Sequence, residues 1–402
     1  MAALMRDASF RRIWSVGLLG GVGRWLEMLV LGIWAVETTG SPFLVALLLL
    51  LRMAPFVLLG PIVGAFADRL PPRPFLAVGF AVATAVSTVV LCIFLAGVEA
   101  YWLVATAAVV TGTVWTTDMP LRRRMLGDIA GSDRLAAAMG TDSATGNATR
   151  MLGPLLGGLL YEALGAPGAF ALSSLLYGAS VVLVLGLPDM PLASAAGHRA
   201  ERLARQMREA VVFAVSNRDM LAILAVTVIF NLWCFPFVAM IPVIGAETLA
   251  LDPAWIGVLA ALEGAGAFLG AVVVAMTARP RFFRAIYVGG TGVYLLLMLL
   301  VSGLGTVWPV ALTVFAIGLA SACFGSMQST LVYACAPPAM RGRLFGLLVL
   351  CIGSGLLGFA NIGWMGDLHG GSAAARIVAL EGIVPLLLVL ILWRRLRGGT
   401  PS

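Results

Sequence analysis

Residues 42–73 read PFLVALLLLLRMAPFVLLGPIVGAFADRLPPR, a long apolar run that ends in a short charged turn. The apolar part, residues 42–66, exceeds the roughly 20 residues that a helix needs to cross a bilayer. Its one charge is Arg52, and the next charged residues follow only at Asp68 and Arg69. The stretch therefore predicts a membrane-spanning helix that ends at a polar surface loop.

The same pattern recurs along the whole chain of 402 residues, of which 61% are hydrophobic and only 11% are charged. Soluble domains carry roughly 25% charged residues, so a soluble enzyme and a disordered chain are both excluded. The sequence also lacks the period-two alternation of a membrane β-barrel. We predict an all-α membrane protein with twelve transmembrane helices, at residues 13–36, 42–66, 74–96, 101–121, 136–161, 167–187, 220–246, 253–277, 285–304, 307–331, 343–366 and 374–393.

A polar segment, residues 188–219, separates the first six predicted helices from the last six. Within it, AERLARQMREAVVFAV has helical spacing and suits an amphipathic helix at the membrane surface or a linker helix. We therefore predict an N-terminal six-helix bundle at residues 1–187, a cytoplasmic linker at 188–219 and a C-terminal six-helix bundle at 220–402. The two bundles would be pseudo-symmetric.

The net charge of +7 comes from 26 basic residues, all of them arginine. With both termini in the cytoplasm, 22 of these arginines fall in inner segments and only Arg376 falls in an outer loop. Cytoplasmic loops collect positive residues. The distribution predicts a protein of the bacterial cytoplasmic (inner) membrane with both termini inside, and it argues against nucleic acid as a partner, which requires one concentrated basic face.

The loop after predicted helix 2 carries Gly64, Asp68, Arg69 and Arg73, and it resembles the signature loop of the major facilitator superfamily. The resemblance implies two six-helix bundles, with Gly64 permitting close helix contact. Asp68 and Arg69 would then form a latch with the other half that holds the outward-facing state. The expected partners are Arg123 and Arg341, and Asp118, at the inner end of helix 4, is expected to make an inner gate contact. Pro71 and Pro72 depart from the family pattern.

Predicted helix 5 resembles the glycine–proline signature of exporters in that superfamily. Thr149 stands where the signature usually has glycine. The resemblance implies a bent, tightly packed helix that seals the cavity, and it favours export. Residues 9–14, 39–42 and 337–343 resemble the branch of siderophore exporters and macrolide efflux proteins. The residues that carry the helix 5 resemblance are Gly140, Gly153, Pro154, Gly157 and Gly158.

Charged residues inside the apolar runs are the candidates for transport chemistry, because each costs roughly 2.5–3.5 kcal/mol at mid-bilayer. Glu27 is the first candidate for binding a proton, followed by Glu263 and Asp142. Arg24 and Glu27, three residues apart, share a helix face and could pair directly. Glu381, on predicted helix 12, lies nearer a helix end and outside the cavity-lining helices that the resemblance implies. The candidates for substrate binding or charge pairing are Arg24, Arg52, Arg150, Asn231 and Asn361.

The sequence contains no Walker loop, no H-E-x-x-H and no G-x-S-x-G. We therefore predict that the chain is not an enzyme and needs neither cofactor nor metal. The expected function is secondary active transport in the lipid bilayer: proton-coupled export of a small organic molecule (a drug, siderophore or metabolite) by alternating access, by a monomer. Two alternatives stay open, an uncoupled facilitator or importer of an anionic metabolite and, more remotely, a membrane-embedded enzyme or sensor.

Overall fold

The computed structural model describes residues 2–66, 71–98, 100–189, 200–337 and 340–395. Over these ranges, ten helices are long and apolar enough to cross a membrane. One of the ten, Ala137–Leu185, is long enough to cross twice. Tyr101–Ala130, which is not among them, carries five threonines that lower its hydropathy. The described helices thus account for the twelve predicted spans, and the all-α membrane fold is confirmed.

The first four spans are α1 (Ala8–Thr39), α2 (Pro42–Phe66), α3 (Pro72–Leu95) and α4 (Tyr101–Ala130). A short helix, Ala2–Arg6, precedes them. The Asp7 carboxylate accepts hydrogen bonds from the backbone N–H groups of Ser9 and Phe10, so it caps the start of α1. Gly40, at φ 61°, ends α1 in the left-handed conformation that glycine adopts without strain.

The next two spans, α5 (residues 135–164) and α6 (residues 166–185), form one run, Leu135–Leu185. Gly165 interrupts this run, with φ 68° and ψ −171°. That conformation suits glycine, and Pro167 can begin the following helix because the first turn needs no N–H from it. The predicted gap between helices 5 and 6 is therefore reduced to a single non-helical residue.

A linker helix, Ala200–Ser216, precedes the last six spans. These are α7 (Arg218–Thr248), α8 (Pro253–Thr277), α9 (Phe283–Val301), α10 (Val307–Cys335), α11 (Arg341–Ile352 and Gly355–His369) and α12 (Gly371–Arg395).

The middle of α7 departs from α-helical geometry, as Pro236 and Pro242 lead one to expect. A π-helical turn at Phe230–Cys234 is followed by a 3₁₀ turn at Phe235–Ala239. Pro236 lacks the N–H that an α-helix needs, so the hydrogen-bond ladder cannot continue through it. Such π turns are frequent at functional sites, and this one contains Asn231.

Packing divides the chain into two compact units. The N-unit comprises Met1–Ala195 and Ala250–Ala265, and the C-unit comprises Ala196–Leu249 and Gly266–Ser402. The first part of α8 thus belongs to the N-unit. Its contact there is with α5, where the backbones of Gly257 and Gly158 lie against each other.

Candidate functional site

The most deeply buried charge cluster of the N-unit surrounds Glu27 on α1, which is 1% exposed. Arg52 on α2 donates a hydrogen bond from Nη2 to Glu27 Oε2 at 2.8 Å. Ser87 on α3 donates to Oε1 at 2.6 Å, and the Tyr177 hydroxyl on α6 donates to Oε2 at 3.3 Å. Four helices therefore supply one carboxylate, one guanidinium and two hydroxyls to a buried site.

These four residues lie at a common depth. At 1.5 Å per residue, Glu27, Arg52, Ser87 and Tyr177 lie about 12–18 Å from the ends of their helices that are predicted to face outside. The hydrocarbon core of a bilayer is about 30 Å thick, so the cluster lies near its middle. An isolated charge there is costly, and pairing of Glu27 with Arg52 offsets part of that cost.

A second charge network extends from this cluster toward the predicted inner side. Arg24 on α1 contacts Asp118 on α4 at 3.3 Å, and its guanidinium lies 4.8 Å from the centre of the Trp115 ring. Arg122 Nε lies 3.5 Å from Asp118 Oδ1. One oxygen of Asp118, Oδ1, is buried without a hydrogen-bond partner. Arg24 and Glu27 therefore do not pair with each other, because each residue has a partner on a neighbouring helix.

Asp142, predicted as a proton-binding candidate, lies at the far end of this network. It accepts a hydrogen bond from Arg122 Nη1, and Arg123 Nε contacts its other oxygen at 3.1 Å. Asp142 is thus held by two arginines between α4 and α5. Arg123, predicted as a latch residue, meets this carboxylate within the N-unit.

A third pair joins α5 to the N-unit part of α8. Arg150 Nη2 donates to Glu263 Oε1 at 2.5 Å, and the Arg150 guanidinium lies 5.5 Å from the centre of the Trp25 ring. Glu263 is 3% exposed. All three arginines that sequence placed inside the membrane therefore have carboxylate partners: Asp118 for Arg24, Glu27 for Arg52 and Glu263 for Arg150.

Three of the helix 5 glycines lie where helices approach closely. A Cβ atom on Gly153 would lie 2.9 Å from the backbone of α1 at Leu26, and one on Gly157 would lie 3.1 Å from the Leu26 carbonyl oxygen. A Cβ on Gly158 would lie 2.7 Å from Gly257 Cα on α8. Gly140 has no atom within 4 Å of such a Cβ. Pro154 lies between the first two contacts, within the helix.

The predicted latch is described only in part. Gly64 lies in the last turn of α2, whereas Asp68 and Arg69 lie outside the described residues. Arg73 binds Asp189 at 2.8 Å and the Leu185 carbonyl at 2.6 Å, so it joins α3 to the end of α6. Arg341 stacks on Tyr333 of α10, with its guanidinium 3.8 Å from the ring centre, and also donates to the Tyr333 hydroxyl.

Polar residues of the C-unit meet at Glu381 on α12. Asn361 Nδ2 on α11 donates to Glu381 Oε2 at 2.7 Å, and Trp233 Nε1 on α7 donates to the same oxygen at 3.2 Å. Glu381 lies ten residues into α12, about 15 Å from its start, which is deeper than the sequence indicated. Asn231 instead donates to the Thr227 carbonyl of its own helix.

Sequence reasoning missed three residues of the N-unit site: Ser87, Trp115 and Tyr177. Serine, tryptophan and tyrosine are ordinary in membrane helices, because helix packing and interfacial anchoring both use them. Neither residue type nor spacing separates these three from the others. An embedded carboxylate does predict nearby hydrogen-bond donors, but it does not tell which helix provides them.

Comparison with known proteins agrees with this architecture. The family model of the Major Facilitator Superfamily matches residues 13–395. An uncharacterized MFS-type transporter, YfiS of Bacillus subtilis (strain 168), is 25% identical over 390 residues, which cover 93% of this chain and 90% of that protein.

Solved structures share the fold at low sequence identity. The nucleoside transporter NupG has a TM-score of 0.76 and is 13% identical, over 94% of this chain and 98% of its own. A POT family transporter in complex with a thioalcohol-conjugated peptide has a TM-score of 0.75 and is 12% identical, over 96% of both chains. The match across nearly the whole chain shows that this integral membrane protein belongs to the Major Facilitator Superfamily and is a transporter of that type.

Proposed function

We propose that the protein exports a small organic molecule and uses proton movement through Glu27 to drive that export. The observation that carries the proposal is the burial of Glu27 near mid-bilayer against Arg52, Ser87 and Tyr177. A protonated Glu27 needs no counter-charge, so protonation leaves Arg52 buried without its partner. Proton binding therefore changes which arrangement of the helices has the lower free energy, as coupling requires.

The direction of transport is proposed from helix 5. Gly153, Gly157 and Gly158 let α5 lie against α1 and α8 at distances that a side chain would prevent. This supports their expected role as a seal on one side of the substrate path. Transport would proceed by alternating access of two six-helix halves, at residues 1–187 and 220–402, around a midplane site.

Roles for the remaining charged residues follow from their contacts. We assign Asp118, Asp142 and Arg123 to a network that holds the predicted inner ends of α4 and α5 together, with Asp142 less suited to proton exchange because two arginines hold it. Glu263 with Arg150 remains a second candidate for coupling. Asp68, Arg69 and Arg341 remain proposed latch residues, and the protein is proposed to act as a monomer in the bacterial inner membrane with both termini cytoplasmic.

One observation favours the alternative, an uncoupled facilitator or importer of an anionic metabolite. The side chains of Arg24 and Arg150 are 16% and 19% exposed, so their cationic groups are partly accessible. However, an anion would have to compete with Asp118 and Glu263, which already neutralise these arginines. The pairing therefore favours the proton-coupled proposal.

The test begins with a panel of candidate ligands in a thermal-shift assay, followed by transport of the hits in proteoliposomes. We expect Glu27→Gln to abolish transport driven by a pH gradient while exchange of ligand across the membrane without a gradient continues. Flux that needs no gradient and runs equally in both directions in the unmodified protein would support the facilitator instead.

A matched control is Glu37→Gln on the same helix. Glu37 is exposed and accepts a hydrogen bond from the Tyr161 hydroxyl, which a glutamine oxygen also accepts. This variant should retain gradient-driven transport. Transport at the normal rate under a pH gradient by Glu27→Gln would show that Glu27 is not the coupling residue.

A further inference from the structure

A cavity of about 20 Å³ lies inside the N-unit, between the Glu27 cluster and the Arg24–Asp118 pair. Its lining includes both arginines, Arg24 and Arg52, together with Thr111, Asp118 and Tyr177. A cavity needs roughly 10–15 Å³ to hold one water molecule, and the water needs two to four polar partners. This cavity meets both conditions for a single water.

Asp118 has one carboxylate oxygen, Oδ1, that makes an ion-pair contact but accepts no hydrogen bond within the described residues. Asp118 is 3% exposed and borders the cavity, and its Oδ1 lies 3.5 Å from Arg122 Nε, which also lacks a hydrogen bond. A buried carboxylate oxygen that accepts no hydrogen bond costs about 1–3 kcal/mol or more, and an ordered water can supply the missing donor. A water in this cavity would donate to Asp118 Oδ1.

The same cavity gives access to Glu27, which is itself enclosed. Tyr177 lines the cavity, and its hydroxyl donates to Glu27 Oε2 at 3.3 Å. Charged groups border this route on both sides, but each arginine has a carboxylate: Arg52 has Glu27, Arg24 has Asp118, and Arg122 has Asp118 and Asp142. The paired charges leave no large uncompensated charge to repel a transferred proton.

We propose that a water bound by Asp118 and the hydroxyl of Tyr177 form the proton path between Glu27 and the predicted inner side, an inference that rests on the proposed coupling role of Glu27. On protonation, the water carrying the excess proton donates it to the Tyr177 oxygen. Tyr177 in turn passes its own hydroxyl proton to Glu27 Oε2. An O–H bond forms on Glu27, and the tyrosine and the water both return to their neutral forms. Release follows the same steps in reverse.

Within this path Tyr177 transfers the proton, whereas Asp118 is a positioning residue that orients the water. The other hydrogen-bond partners of Glu27 are Arg52, which stays protonated, and Ser87. A second cavity, of about 10 Å³, lies beside Glu27 and is at the lower limit for one water molecule. Among the described residues that line it, no buried oxygen lacks a hydrogen bond. The cavity at Asp118 is therefore the better-supported route.

Time-resolved infrared spectroscopy of the purified protein tests the path without any substrate. After a rapid pH change, the carboxyl band that is lost in Glu27→Gln reports protonation of Glu27. We expect Tyr177→Phe to slow the appearance of this band by about 10²-fold, the lower end of what a positioned proton-transfer group contributes. Because phenylalanine keeps the ring, this variant should fold.

Tyr101→Phe is the matched control. Tyr101 also donates its hydroxyl to a partner inside the N-unit, the Leu44 carbonyl at 2.7 Å, but it does not line the cavity. The control should show unmodified kinetics, and thermal melting of both variants reports any general loss of stability. A purely structural role for Tyr177 would lower the melting temperature and leave the kinetics unchanged.

The outcomes separate this inference from the proposed function. If a Glu27 band appears and Tyr177→Phe leaves its rate unchanged, the path is refuted and the coupling role of Glu27 stands. If the unmodified protein shows no Glu27-dependent band, both are refuted. An experimental structure that shows ordered water elsewhere but an empty cavity at Asp118 would also overturn the path.

Discussion

Removing either member of the Glu27–Arg52 pair should destabilise the fold, but with different dependence on pH. The two groups are 2.8 Å apart, and their side chains are 1% and 4% exposed. At an effective dielectric constant of about 20, their attraction is about 6 kcal/mol. Desolvation offsets part of this, and loss of one partner of a buried pair costs about 3–5 kcal/mol because the other charge remains.

The pH dependence follows from which charge is left behind. In Arg52→Met the remaining group is Glu27, which can take up a proton and become neutral, so the loss of stability should shrink as the pH falls. In Glu27→Gln the remaining group is Arg52, which stays protonated. Its loss of stability relative to the unmodified protein should therefore persist wherever Glu27 is ionised in that protein. The double variant should recover much of the loss, because no unpaired charge remains.

Thermal unfolding of the purified protein in detergent, between about pH 5 and pH 8, measures these differences within the range where folded proteins are usually most stable. Arg73→Met is the matched control, since Arg73 pairs with Asp189, whose side chain is 82% exposed. A pair of that kind contributes about 0–1 kcal/mol. The reasoning is refuted if Arg52→Met costs no more than the control, or if its cost is the same at both ends of the pH range.

Three further predictions concern other parts of the chain. Gly158→Ala should cost about 1–3 kcal/mol by overpacking and impair transport, whereas Gly140→Ala, which has open space, should do neither, as thermal melting and transport assays would show. Glu209→Arg should weaken docking of the linker helix on α11, and adding Arg343→Glu should restore the ion pair and the protection of that helix from proteolysis. Glu381→Gln should change stability by less than about 1 kcal/mol, because its partners are neutral N–H donors that an amide oxygen also satisfies, and a loss as large as that of Glu27→Gln would contradict this account.

Much of the architecture could be predicted from sequence because the bilayer imposes a simple rule. Each span needs about 20 mostly apolar residues, so runs of apolar residues marked the twelve predicted spans. The ends were less certain. Predicted helix 4 stops at residue 121, but α4 continues to Ala130. Past the apolar run, Arg122 pairs with Asp118 and Arg124 pairs with Asp128, each four residues away on the same helix. These pairs allow the charged turns to remain helical. The amphipathic linker helix was predicted, but helical spacing did not tell which of its apolar residues is covered: Ala210 is buried, whereas its neighbour Val211 is exposed.

Sequence by itself determined which charges lie in the membrane, because a charged residue inside an apolar run is visible without any structure. Glu27, Arg52 and Glu263 were identified in this way, and all three are buried. Their partners were decided only by tertiary structure. Helical spacing allowed Arg24 to pair with Glu27, but the rotation of α1 turns Glu27 toward Arg52 and Arg24 toward Asp118. That rotation depends on side-chain packing among several helices, including the close contacts at Gly153 and Gly157, and no periodicity within one helix encodes it.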